Sequence, residues 1–319
     1  MNVLSLFDGI SVARYALGDR VKTYYASEID EKAIQIAKKN FPDTIHVGDV
    51  RAVKADALPK IDLLIGGSPC QDLSIAKKDR KGLDGDRSGL FWEFIRILRE
   101  VKPTHFVLEN VASMPKDAKE IITRETGVES VMINASLVSA QSRKRLFWTN
   151  IPVVGLPEDR GIMLKDILEP DAEVNDRTMV SITKAPTEFH QLGYLGAETS
   201  CKVGGQALRV YSPKYKTPTL GTSGIGLVKL GHIGNGDNQA TRVYSTEGKS
   251  CTLSANGGGG GAKTGLYDTG KIRKLTPVEC ERLQSLPDNY TEGIAMTHRY
   301  KCLGNAFNAE VIRFILSFM

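Results

Sequence analysis

The residues with most chemistry in them are Gly66-Gly67-Ser68-Pro69-Cys70-Gln71, where a thiol follows directly on the apolar run Ile61-Asp62-Leu63-Leu64-Ile65. A buried strand that stops in Gly-Gly and then Pro-Cys holds a thiol on a stiff turn at a sheet edge, a good position for a nucleophile. A small apolar residue that merely follows a strand is the competing reading of any single cysteine. Three acidic or glycine-bearing groups fall, in order, at the ends of neighbouring strand candidates. Phe7-Asp8-Gly9-Ile10-Ser11 closes the first where a helix begins. Glycine there lets a ligand approach the backbone and helix amides meet a carboxylate or phosphate, although it also serves the turn alone. Ser27-Glu28-Ile29-Asp30 ends the second, an acid spaced to hydrogen-bond a ribose. Gly48-Asp49-Val50 ends the third, with a second acid able to accept from an adenine amino group. Gly9, Glu28 and Asp49 together describe a nucleoside pocket. The chain has no GxGxxG, which argues against NAD, and no GxxxxGK[ST], which argues against a P-loop.

The elements that must position these groups alternate. Val3 to Phe7, Thr23 to Ala26, Thr44 to Val47, Ile61 to Ile65, His105 to Leu108 and Val131 to Ile133 are β-rich runs. Between them Asp30 to Asn40 and Arg87 to Val101 have helical spacing, with Asp30 as N-cap and Ala33, Ile34 and Ala37 on one face. Such βαβ alternation predicts an α/β protein with a doubly wound, mostly parallel sheet, whose ligand sites lie at the carboxyl ends of strands. After Pro152 the pattern breaks into short strands rich in Gly, Pro, Ser and Thr, and helical spacing returns only from Thr276, over Pro277 to Leu286 and Ala309 to Phe318. The expected division is a ligand-binding domain over 1–165, a smaller β-rich domain over 166–271, and a return to the first domain over 272–319. An internal repeat sits in the middle segment. Arg209-Val210-Tyr211-Ser212 recurs as Arg242-Val243-Tyr244-Ser245, and Lys216, Thr219 and Leu220 recur in register as Lys249, Thr252 and Leu253. Two copies are too few for a solenoid and read as paired β-ribbons.

Charge is concentrated in that middle segment. Of a formal net charge of +5, residues 171–274 carry all the excess, with 13 Lys and Arg against 8 Asp and Glu, and 16 of the 31 glycines lie between Gly204 and Gly270. A basic, loop-rich segment suits a polyanionic partner, although basic surface also simply solubilises. The five cysteines, Cys70, Cys201, Cys251, Cys280 and Cys302, are odd in number and lack CxxC spacing, so they read as reduced thiols, with neither a disulfide framework nor a metal site. No stretch of about 18 apolar residues exists, and Met1 to Leu4 enters a strand without a basic leader, so a cytoplasmic protein with no membrane partner is expected.

Phe7-Asp8-Gly9, Glu28, Asp49, Pro69-Cys70-Gln71, Glu109-Asn110-Val111 and Gln141-Ser142-Arg143-Lys144-Arg145 resemble the ordered motifs of DNA cytosine-5 methyltransferases, of bacterial or phage type. The resemblance continues through Arg273-Lys274-Leu275-Thr276-Pro277 with Glu279 and Pro287-Asp288, and through Gly304-Asn305-Ala306, so it covers nearly the whole chain. It implies a Rossmann-like S-adenosylmethionine methyltransferase fold with a smaller β-rich target-recognition domain.

The resemblance also assigns roles that the chemistry explains. Cytosine C5 is a poor nucleophile until something adds at C6, and a thiolate makes that addition reversibly, so Cys70 is the expected nucleophile. Addition pushes electron density toward N3 and O2. An acid at N3 and a cation at O2 favour it, roles that fall to Glu109 and Arg145, with Arg143 supporting the site. S-adenosyl-L-methionine is the implied cofactor. Phe7, Asp8 and Gly9 would form its pocket floor, Glu28 would take the ribose, and Ile29, Asp49 and Val50 would bracket the adenine. Pro69, Leu90 and Asn305 would complete the wall. Ser11 replaces the second glycine of the Phe-x-Gly-x-Gly pattern found in many bacterial members.

Asp72 to Gly85, with Ser74 and Arg80, resembles the loop that closes over a flipped base, and flipping is needed because stacking covers the face of the ring. Gln239 to Ser245 and Thr252 to Gly258 resemble two base-reading loops. Arg242 would read a guanine edge and Gln239 would fill the space left by the flipped base, with Thr252, Asn256 and Gly257 beside them. Asn256 stands where close relatives carry an aromatic residue. The implied partner is double-stranded DNA, met by a monomer, with any cognate restriction endonuclease acting separately. An RNA-directed member of the same family, acting on transfer RNA, and a catalytically silent DNA-binding homologue are the rival readings.

Overall fold

The structure is a computed structural model that describes residues 1–68, 90–170, 172, 191–194, 209–211, 229–232, 242–255, 265–269 and 272–319. The chain opens β1 (Asn2–Leu6), α1 (Val12–Leu17), β2 (Thr23–Ser27), α2 (Glu31–Asn40), β3 (Ile45–His46) and β4 (Leu63–Gly67). It continues α3 (Leu90–Val101), β5 (His105–Val111), α4 (Lys116–Thr126), β6 (Ser130–Asn134) and β7 (Lys144–Thr149). These seven strands form one sheet in the order β3-β2-β1-β4-β5-β7-β6, parallel throughout except for β7, which runs antiparallel to both its neighbours.

Side-chain alternation along the central strands builds two separate cores. Leu4, Leu6, Leu64 and Leu108 face one layer, where Phe91, Phe94 and Ile95 of α3 and Ala118 and Ile122 of α4 cover them. Val3, Leu63, Ile65 and Val107 face the other, against Ala13 and Ala16 of α1. Because both faces are covered, these strands read as unbroken apolar runs. Asp30 caps α2 as its sequence position predicts, its side chain accepting from Lys32 N at 3.0 Å and Ala33 N at 3.4 Å.

The β-rich segment supplies β8 (Gln191–Tyr194), β9 (Arg209–Tyr211), β10 (Lys229–His232), β11 (Arg242–Ser245), β12 (Leu266–Asp268) and β13 (Ile272–Arg273). The repeat seen in sequence is a repeat of backbone. β8 pairs antiparallel with β9 and β10 with β11, and each pair shifts register at the same place, before Gly193 and before Gly231. The repeated unit therefore begins earlier than Arg209 and Arg242, at the matching Leu192-Gly193 and Leu230-Gly231.

Three last helices, α5 (Pro277–Leu283), α6 (Met296–Asn305) and α7 (Ala309–Leu316), return the chain to the first sheet. Thr276 and Glu279 form a capping box at α5 with Pro277 inside its first turn, which fixes where the helix starts. Val311, Ile312 and Ile315 of α7 complete the second core, and Tyr290 donates from its hydroxyl to Ile10 O at 2.8 Å. Among the described residues no helix is long and apolar enough to cross a membrane.

Candidate active site

Three adjacent strands bring the expected chemical groups side by side. β4 ends at Gly67, which lies opposite Glu109 in the parallel β4–β5 pair. Across the next pair Val111 of β5 lies opposite Arg145 of β7, so Glu109 and Arg145 are diagonal neighbours on one face. Their side chains meet, Arg145 Nε lying 2.7 Å from Glu109 Oε1, and both are largely shielded. Glu109 reaches this position because β5 continues past the expected end at Leu108 to Val111, held between β4 and β7.

Cys70 and Pro69 lie outside the described residues, but the two residues leading to them do not. Asn110 donates from Nδ2 to Ser68 Oγ at 3.1 Å, while its own Oδ1 accepts from Val111 N at 2.8 Å. The residue after Glu109 thus holds Ser68, the last described residue before Pro69 and Cys70, and both Ser68 and Asn110 are buried.

Arg143 stands apart from Arg145. It precedes the first residue of β7 and is buried, donating to Leu253 O at 3.4 Å, Gly304 O at 3.1 Å and Ala306 O at 2.8 Å. One guanidinium therefore ties the β6–β7 connection to the middle segment and to the end of α6. The same junction is tight in the backbone, since a Cβ on Gly304 would lie 2.4 Å from Ala255 N. Lys249 makes a second tie, its buried ammonium donating to Ser136 O and Ile162 O, each at 2.7 Å.

At the other strand ends the acids are already held by the protein. Glu28 accepts from Gly9 N at 2.8 Å through Oε2, and from Ile29 N at 2.7 Å and Asp30 N at 2.8 Å through Oε1. Asp49 accepts from Arg51 N and Arg51 Nε, both at 3.0 Å, and this exposed pairing lowers its carboxyl to about 2. Val50 is buried beside it, with its carbonyl taken by Arg96 of α3. Leu90 begins α3, half-buried against the first core, and Asn305 is the exposed last residue of α6.

Asp8 points inward. It accepts from the Tyr24 hydroxyl at 2.6 Å and from the Ser11 hydroxyl, and burial raises its carboxyl to about 6 against the opposing pull of these bonds. Ser11 itself has φ 61, the left-handed conformation that a glycine there adopts without strain, and its bond to Asp8 favours that conformation. Phe7, with φ 57, shares the conformation, so the loop from Phe7 to Ser11 turns twice in a short distance.

A nucleoside cofactor fits what these strand ends offer. Gly9 has φ +61 and open space where a Cβ would stand, two carboxylates follow at successive strand ends, and Ile29 leaves a large apolar side chain 66% exposed between them. An exposed aliphatic side chain beside a strand-end carboxylate is a surface that a flat apolar ring would cover.

The expected DNA contacts divide. Ser74, Arg80, Gln239, Asn256 and Gly257 lie outside the described residues, as does the loop from Asp72 to Gly85. Arg242 is half-buried at the start of β11. Thr252 donates from its hydroxyl to Ser142 O at 2.6 Å, inside the protein. Sequence reasoning missed Tyr24, Arg51, Lys249 and Phe307, for none of which does residue type alone signal a role, and gave no role to Asn110.

A family model for C-5 cytosine-specific DNA methylase matches residues 1–319. The chain is 30% identical over 339 aligned residues to the type II methyltransferase M.HhaI of Haemophilus parahaemolyticus, covering 99% of this chain and 93% of that one. It is 29% identical to the type II methyltransferase M1.ScrFI of Lactococcus lactis subsp. cremoris, over 98% of this chain and 76% of that one. Among solved structures, a putative DNA modification methyltransferase encoded within an Escherichia coli prophage matches its fold with a TM-score of 0.64 at 20% identity, covering 100% and 98% of the two chains. The family match extends over every strand end described above, and the chain belongs to the C-5 cytosine-specific DNA methylase family.

Proposed function

We propose that this protein methylates C5 of a cytosine flipped out of double-stranded DNA, at a short specific site, through a covalent adduct of Cys70 at C6. The observation that carries this reading is the Glu109–Arg145 pair beside Gly67, on the two strands that follow β4, the strand that leads to Cys70, across the sheet. Cys70 attacks C6 as a thiolate, and the electrons of the C5–C6 double bond move toward N3 and O2. Glu109 takes up a proton from solvent as Arg145 turns from it to O2, and passes that proton to N3, so the charge that develops on the ring meets an acid and a cation. Arg145 holds the Glu109 carboxyl in reach while the base is absent, and turns to O2 when it arrives. After methylation, a solvent base takes the C5 proton, N3 returns its proton to Glu109, and expulsion of the Cys70 thiolate from C6 restores the aromatic ring.

S-adenosylmethionine, when bound, supplies an electrophilic methyl group. Phe7, Gly9, Glu28, Ile29, Asp49 and Val50 would hold it, with Pro69, Leu90 and Asn305 completing the wall. Asp8 acts one layer behind, orienting the loop through Tyr24 and Ser11. Arg143 supports the site through the backbone it ties together. Residues 166–271 form the target-recognition domain of a monomeric enzyme, and their basic, glycine-rich composition supports that assignment.

Methyl-transfer assays with labelled cofactor on duplex DNA and on transfer RNA test the reading. Label incorporated as 5-methylcytosine in duplex DNA is expected, and label in transfer RNA alone would overturn it.

A further inference from the structure

The two oxygens of Glu109 have different neighbours. Oε1 lies 2.7 Å from Arg145 Nε. Oε2 lies so close to the backbone of β4 that a Cβ added to Gly67 would stand 3.0 Å from it. The same Cβ would stand 3.1 Å from Phe307 Cε1 and 3.5 Å from Cζ. A glycine, a carboxylate oxygen and the edge of an aromatic ring therefore share one small space. Gly67 has no left-handed backbone to justify a glycine, so the requirement is room for its neighbours.

The ring is not free to move aside. Phe307 lies between α6 and α7 and packs against both the core around Leu303 and Ala306 and the core around Val311 and Ile312. It also borders, with Glu109, Arg145 and Phe147, a small pocket between the sheet and α7. One carboxylate oxygen is thus held by charge, and the other stands at the same small gap as the ring edge.

We propose that Phe307 is a positioning residue for Glu109, and that Gly67 is the gap that admits both. This rests on Glu109 being the group that protonates N3. A glutamate side chain has three torsions to lose, and an ion pair through one oxygen alone leaves the carboxyl free to swing about that contact. The ring edge removes the swing and holds Oε2 where the cytosine N3 must meet it. Displacement of about 1 Å is enough to cost about 100-fold in rate.

The test is a double-mutant cycle at Gly67 and Phe307, read as kcat and KM on duplex DNA and as exchange of the cytosine C5 proton without cofactor. F307A should lower kcat and exchange by about 10- to 100-fold with KM for DNA and cofactor little changed. F307L, which restores most of the apolar volume, should recover most of the loss. G67A should lower the same two rates. In G67A/F307A the new methyl takes space the ring has left, so the combined loss should be smaller than the product of the single losses. Thermal melts establish that each variant is folded, and F307V takes the place of F307A in the cycle should the latter not fold. Unchanged kcat in the Phe307 variant, an effect confined to KM, or multiplicative losses in the double variant would overturn the proposal. E109Q separates the two levels. If it keeps full exchange and kcat, Glu109 is not the acid; if it loses both while the cycle is multiplicative, only the role of Phe307 falls.

Discussion

Glu109 and Arg145 stand 2.7 Å apart on strands that run in opposite directions, joined through a pairing that β6 and β7 complete at the end of the sheet. Opposite charges shielded together at a sheet end are held ready for a ligand whose own charge changes during reaction. E109Q removes the transferable proton while keeping the shape, and should lower kcat by about 10²–10⁴-fold. R145A should lower it by about 10²–10³-fold. Because both act on one ring, the double variant should be little worse than the poorer single, which rapid-quench measurement of methyl transfer would show. Independent, multiplicative losses would mean that they serve different steps.

Arg143 and Arg145 should fail in different ways. Arg143 is buried and donates to three carbonyls from separate parts of the chain, so R143A should lower unfolding stability by about 3 kcal/mol or more. R145A should leave the denaturation midpoint nearly unchanged while activity falls. Urea titrations of the two variants check this, and equal midpoints would show that Arg143 is not a structural tie.

This difference marks the limit of what the sequence reveals. Strand alternation places Arg143 and Arg145 on one face, but β7 begins only at Lys144, and Arg143 bends away to carbonyls more than a hundred residues distant. The acids Glu28 and Asp49 were legible because each breaks a β-rich run, and the thiol because Gly-Gly and Pro bracket it. β7 was hidden by its charged start, Lys144-Arg145, although Trp148 is fully buried. α4 was hidden by the polar sequence of Lys116–Thr126, whose few apolar residues, Ala118, Ile121 and Ile122, suffice against the sheet. Phe307 is an ordinary apolar residue until the fold brings it to Gly67.

Asp8 makes stability depend on pH. Its folded carboxyl is raised to about 6 by burial, so the folded state binds more protons than the unfolded chain between about 4 and 6. Its contribution is fully present below about 4 and is lost as pH rises through about 6, a loss of about 3 kcal/mol for a shift of about two units. D8N keeps an acceptor for Tyr24 and matches the protonated form. It should be more stable than the parent at pH 7.5, with the difference shrinking toward pH 4.5 in denaturant titrations. A difference independent of pH would show that Asp8 does not titrate in this range.

Arg242, at the start of β11, is proposed to read one guanine. R242A should lose about 1–3 kcal/mol of discrimination at a single base position while retaining it elsewhere. Binding to a panel of duplexes with single substitutions measures this. Uniform weakening across the panel would make Arg242 a phosphate contact.

The proposed mechanism makes the Cys70 thiolate the nucleophile that attacks the base. Incubating the protein with cofactor and duplex DNA carrying 5-fluorocytosine at its methylation site blocks the last step, since fluorine at C5 does not leave as a proton does. The account predicts a denaturant-resistant protein–DNA complex, with the cross-link mapped by mass spectrometry to Cys70, and no complex with C70S although that variant still binds DNA. A cross-link at another residue, or full methyl transfer by C70S, would contradict it.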